Sequence, residues 1–94
     1  MSDSFYTNET FLSEDELIDK TSKSRNLNGL KFKVDKLSTE TEDPRVKSKL
    51  ASMVSILEDA YKIDMYKFQF KAFILSMGKE IKNLEEYVGI TNAI

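Results

Sequence analysis

The sequence predicts an all-α fold, a helical hairpin closed by one long C-terminal helix. Three observations predict it. From Pro44 to Met77 there is no glycine, no further proline and no asparagine, so the run offers no obvious place to divide it. Val46, Leu50, Met53, Leu57 and Tyr61 step by three and four, the spacing of one helix face. "LSEDEL" and "EDP" carry the caps of two helix starts.

The first helix is expected over about 14–27. Ser13 is its N-cap, and Glu16, three residues on, completes a capping box. Leu12 and Leu17 flank it as a hydrophobic staple, and Glu14, Asp15 and Glu16 sit where the helix dipole favours negative charge. Ahead of it, residues 1–12 are polar with Phe5, Tyr6 and Phe11 among them. They read as a flexible N-terminal arm, with 13–94 as a single helical domain.

The stretch "RNLNGLKFKVDKL", residues 25–37, fits two periods. Leu27, Leu30, Val34 and Leu37 line a helix face, while Leu30, Phe32 and Val34 alternate with Lys31 and Lys33 as a strand would. On the helical reading Asn28-Gly29 separates the first helix from a shorter one over about 30–38. Residues 38–43 connect. Asp43 then caps a long helix with Pro44 at its first position, running over about 44–88 with Gly78 as its candidate break. The alternative is a small α+β fold with strands 30–36 and 63–75. It requires a helix to pass into a strand near Ala60 without a turn residue, and a two-stranded sheet, which is marginal alone.

On a continuous helix, residues 60–77 carry two apolar stripes. Tyr61, Met65, Phe68, Ala72 and Leu75 are expected to pack on the N-terminal helices. Ile63, Tyr66, Phe70, Phe73, Ile74 and Met77 are left over, and Phe70, Ile74, Met77, Ile81, Leu84 and Val88 keep the repeat of a coiled-coil seam. An uncovered apolar stripe marks a protein interface. The partner-binding candidates are therefore Tyr66, Phe70, Phe73, Ile74 and Met77, with Phe32, which falls off its own helix's apolar face.

Catalytic chemistry has little to work with. The chain has no histidine and no cysteine, which removes the usual base near neutral pH and the commonest transition-metal ligands. Glycines at 29, 78 and 89 cannot form a phosphate loop. No enzyme activity, cofactor or metal is expected. Charge is segregated, however. Residues 1–19 carry acids and no base, and a basic set follows in Lys20, Lys23, Arg25, Lys31 and Lys33, joined by Arg45 and Lys49. Near a hairpin tip these residues form a candidate site for a phosphate, nucleotide or nucleic acid. The net charge of −2 gives no general attraction to nucleic acid.

The leading expectation is a non-enzymatic adaptor or inhibitor that meets itself, or a larger protein, through its C-terminal helix. The alternative is a nucleic-acid or nucleotide-phosphate module using the basic residues of 20–49. With no signal peptide and no membrane span in the sequence, a cytoplasmic location is expected. In general make-up (short, cysteine-free, with lysine and asparagine) the chain resembles the small accessory proteins of phages and mobile elements. That resemblance implies a host protein as partner and the host cytoplasm as location.

Overall fold

The computed structural model describes residues 16–93. Among the described residues three helices follow one another: α1, Lys20–Glu40; α2, Pro44–Lys62; and α3, Lys67–Ala93. Helix α1 folds back on α2 as a hairpin, and α3 returns alongside α1. Among the described residues there is no strand, only an isolated antiparallel bridge between Leu17 and Tyr66. The all-α expectation holds, and strands at 30–36 and 63–75 are absent.

Each helix buries one stripe. Leu27, Leu30, Val34 and Leu37 of α1 meet Val46, Leu50, Met53, Leu57 and Ala60 of α2 and Phe70, Met77, Ile81 and Val88 of α3 in one core. Helix α1 packs against both neighbours, whereas α2 and α3 approach each other only sparsely. The central helix is therefore the one whose apolar stripe is shared.

Three boundaries differ from the sequence-based expectation. Among the described residues the first helix begins at Lys20, and residues 16–19, expected to be helical, are not. Ser13 and its staple partner Leu12 lie outside the described residues, as does the expected arm at 1–12. Glu16, Leu17 and Ile18 are extended, and Asp19 is the cap, its side chain accepting from the Ser22 backbone N–H at 2.9 Å. Leu17 is drawn out of the helix by pairing with 65–67. Ile18 N–H donates to Met65 O (2.8 Å) and Lys67 N–H to Glu16 O (2.7 Å).

The second difference is at Asn28-Gly29, which lies inside α1 rather than ending a helix. The stripe Lys23, Leu27, Leu30, Val34, Leu37 keeps one helical phase across it. Gly29 faces solvent, and Asn28 accepts a hydrogen bond from the Tyr61 hydroxyl of α2.

The third is the break in the long helix. It falls at 63–66, and Gly78 sits within α3. The reason is phase. Extended by about three turns, the α2 stripe 46-50-53-57-60 would meet Asp64, Lys67 and Lys71, all charged. At 100° per residue the α3 stripe lies roughly 120° away from it on a continuous helix. No single neighbour could cover both. Turning the chain at 63–66 lets both stripes face α1. The backbone groups released by the turn find partners: Met65 O and Lys67 N–H in the 16–18 segment, and Ile63 O from the buried Lys23 amine at 2.7 Å.

Two predictions follow from these local features. A Cβ at Gly29 would meet nothing within 4 Å. Gly29→Ala should therefore stabilise the fold by about 0.5–1 kcal/mol in chemical denaturation, through the ordinary helix propensity difference. A loss of stability would contradict a continuous α1. The caps make the second. Asp19 and Asp43 are held below the ordinary carboxylate value of 3.8, chiefly by backbone N–H bonds from Ser22 and Arg45 respectively. A lowered folded-state pKa stabilises above the unfolded value and is lost as pH falls below it. The Asp19→Asn, Asp43→Asn chain keeps both capping oxygens. Its melting temperature should fall less than the parent's between about pH 5 and pH 2.

Candidate partner-binding surface

Helix α3 carries more apolar surface than its core needs. With Phe70, Met77, Ile81 and Val88 turned inward, Phe68, Ala72 and Leu75 stand on the opposite side, all exposed, at spacings of four and three. Leu75 is 64% exposed. At the start of the same helix the Leu17–Tyr66 bridge adds two more half-exposed apolar side chains. Its bonds flank the pair, from Ile18 to Met65 and from Lys67 to Glu16. That is the closely spaced type of antiparallel pair, so the two side chains lie together on one face. Ile63, also half-exposed, belongs to the same end of the bundle.

Beside this surface runs a groove of about 270 Å³ between α1 and α3. Ile18, Asn26, Phe70, Ile74 and Leu75 line it, with Lys67 and Lys71. A second, more open groove of about 300 Å³ lies between α2 and α3, lined by Asp43, Arg45, Val46, Lys49, Leu84 and Tyr87. Among the described residues, no group of three acids is placed to hold a metal ion. None of the described helices is long and apolar enough to cross a membrane.

The candidate contact residues divide. Tyr66 is half-exposed, and Phe32 is 69% exposed on the side of α1 away from the core. Phe70 and Met77 are buried in the chain's own core, and Phe73 and Ile74 pack against it. The stripe expected to be left over is thus the one α3 buries, and the one expected to pack, Phe68, Ala72 and Leu75, faces out. Met65 and Tyr61 alone of that first stripe turn inward. Phe68 and Leu75 are missed as surface residues when the helix is read as continuous, and Leu17 when it is read as a staple, whereas Ile63, expected in the leftover stripe, is half-exposed. The phase jump between Ala60 and Phe70 was the signal that would have found Phe68 and Leu75.

The basic candidates are scattered and mostly engaged. Lys23 is 7% exposed and spends its amine on Ile63 O. Lys31 pairs with Glu58 at 3.9 Å, Lys49 with Glu80 at 3.6 Å, and Arg45 with its neighbour Asp43 at 3.5 Å. Lys20, Arg25 and Lys33 are exposed. Lys33 lines a small polar pocket with Lys36, but Glu40 and Glu85 line it too. Exposed pairs of this kind contribute little to stability. Here they place an acid beside each of Lys31, Arg45 and Lys49.

No protein-family model, curated protein or solved structure matches the chain.

Proposed function

We propose that this chain is a non-enzymatic interaction protein that self-associates through the outward face of α3. The observation that carries this reading is Leu75. It is a large apolar side chain at 64% exposure in mid-helix, with Ala72 and Phe68 one and two turns before it on the same face. Tyr66 and Leu17 extend the apolar surface around the helix start.

The size of the effect is modest. Full burial of a large apolar side chain is worth about 1.5–3 kcal/mol, and these residues are already half covered. Several such side chains from each of two copies must offset an association cost of about 4–15 kcal/mol. The expected complex is weak and concentration-dependent. A second copy suits this surface because a two-fold arrangement presents the same apolar stripe from both sides. Lys31, Arg45 and Lys49 are paired with acids and Lys23 is spent on Ile63 O, which weighs against the nucleic-acid reading.

Light scattering over about ten micromolar to one millimolar spans the affinities at issue. The average molar mass should climb toward that of a dimer across this range. Leu75→Lys should hold the chain at monomer mass with unchanged circular dichroism. A wild-type chain that stays monomeric throughout would overturn the self-association reading.

A further inference from the structure

The groove between α1 and α3 is apolar in its floor and flanked by lysines, and one segment of this chain has the matching chemistry. Ile18, Phe70, Ile74 and Leu75 form the apolar lining, and Lys67 and Lys71 stand along it one turn apart. Residues 1–15 carry Asp3, Glu9, Glu14 and Asp15 with no lysine or arginine, and they interleave these acids with Phe5, Tyr6, Phe11 and Leu12. We infer that this acidic, aromatic N-terminal segment docks into the α1–α3 groove of its own chain.

Three observations select this occupant. The first is position. Glu16, where the described chain begins, is hydrogen-bonded through its carbonyl to Lys67 N–H, and its carboxylate lies 3.4 Å from the Lys67 amine. The segment is therefore tethered at the mouth of the groove, which gives it an effective concentration no free partner matches.

The second is direction. Residue 18 pairs with 65 and residue 16 with 67. Followed backwards, the chain leaves Glu16 in the sense in which 65–67 advances into α3.

The third is register. Leu75 lies roughly 12 Å along the helix from Lys67 at 1.5 Å per residue. An extended chain covers that distance in about four residues at 3.3 Å each. Four residues before Glu16 is Leu12, with Phe11 next to it. Both arrive at the level of Ile74 and Leu75. The acids Glu14 and Asp15 fall between, beside Lys71. The pairing of Glu16 with Lys67 is the first step of the same pattern.

This docking covers the flank of α3 that faces α1, Leu75 included, so it competes with self-association for that residue and leaves Phe68 and Ala72 on the outer side. It does not depend on self-association, and its test is done in dilute solution where light scattering shows a monomer.

The absence of cysteine makes a clean probe possible. A nitroxide is attached to Thr10→Cys, next to Phe11, in the full-length chain, and methyl signals of Ile74, Leu75 and Val46 are followed by NMR. The expected result is broadening of Ile74 and Leu75 with Val46 spared. The broadening should be lost when Phe11→Asp and Leu12→Asp are added, with circular dichroism unchanged. It should also be absent when a labelled chain is mixed with an unlabelled, isotope-enriched one. Ile74 and Leu75 no broader than Val46 would overturn the proposal. So would broadening that survives the two aspartates, which would reflect the tether alone. Broadening seen only in the mixed sample would assign the groove to the segment of a second copy.

Discussion

The turn at 63–66 is the constraint on which the rest of this structure depends. Nothing in its composition demands a turn, for Ile63, Asp64, Met65 and Tyr66 include neither glycine nor proline. The demand is tertiary. A helix running unbroken from Pro44 to Ala93 would hold its two apolar stripes roughly 120° apart, and one of them would stay in water. Turning the chain brings Leu50, Leu57, Phe70 and Ile81 onto the same central helix. Hydrophobic burial on this scale outweighs the few helical hydrogen bonds that the turn gives up.

Those bonds are replaced from a distance, and α1 or its approach supplies the partners. The extended residues 16–18 pair with 65–67, and Lys23 donates to the carbonyl of Ile63. At the opposite end the pattern is returned: Asn92 of α3 donates to Glu40 O, the last carbonyl of α1, at 3.0 Å. Helix C-termini leave carbonyls without partners inside the helix. Here two of them are served by side chains of neighbouring helices. The caps therefore tie α2 and α3 to α1 at both ends of the bundle, and α2 and α3 need little direct contact. Lys23, one of the basic candidates, is thereby consumed in holding the fold.

The helical class, the cap at Asp43 and the buried faces of α1 and α2 were legible in the residue spacing. The α1 face 27-30-34-37 and the α2 face 46-50-53-57 are buried as the spacing predicts. What misled was punctuation. Asn28-Gly29 looks like a stop yet sits inside α1, and 63–66 looks featureless yet is a turn. In both places the phase of the apolar stripe decides: it is continuous through 28–29 and jumps between 60 and 70. The same jump decides which side of α3 faces out. Tyr66 and Phe32 were legible as surface residues, and Leu75 was not. The pairing of 16–18 with 65–67 could not be read from the sequence, because two backbone hydrogen bonds leave no pattern in side-chain type.

Native-state amide hydrogen exchange at Ile18 tests this account most directly. Its N–H lies outside every helix and donates to Met65 O at 2.8 Å. If the clasp holds the turn, the Ile18 amide should be protected nearly as well as amides in the middle of α1, because opening it requires the turn to open. Exchange at the rate of an unstructured peptide, with 63–66 protected as in mid-helix, would show a continuous C-terminal helix and contradict the account.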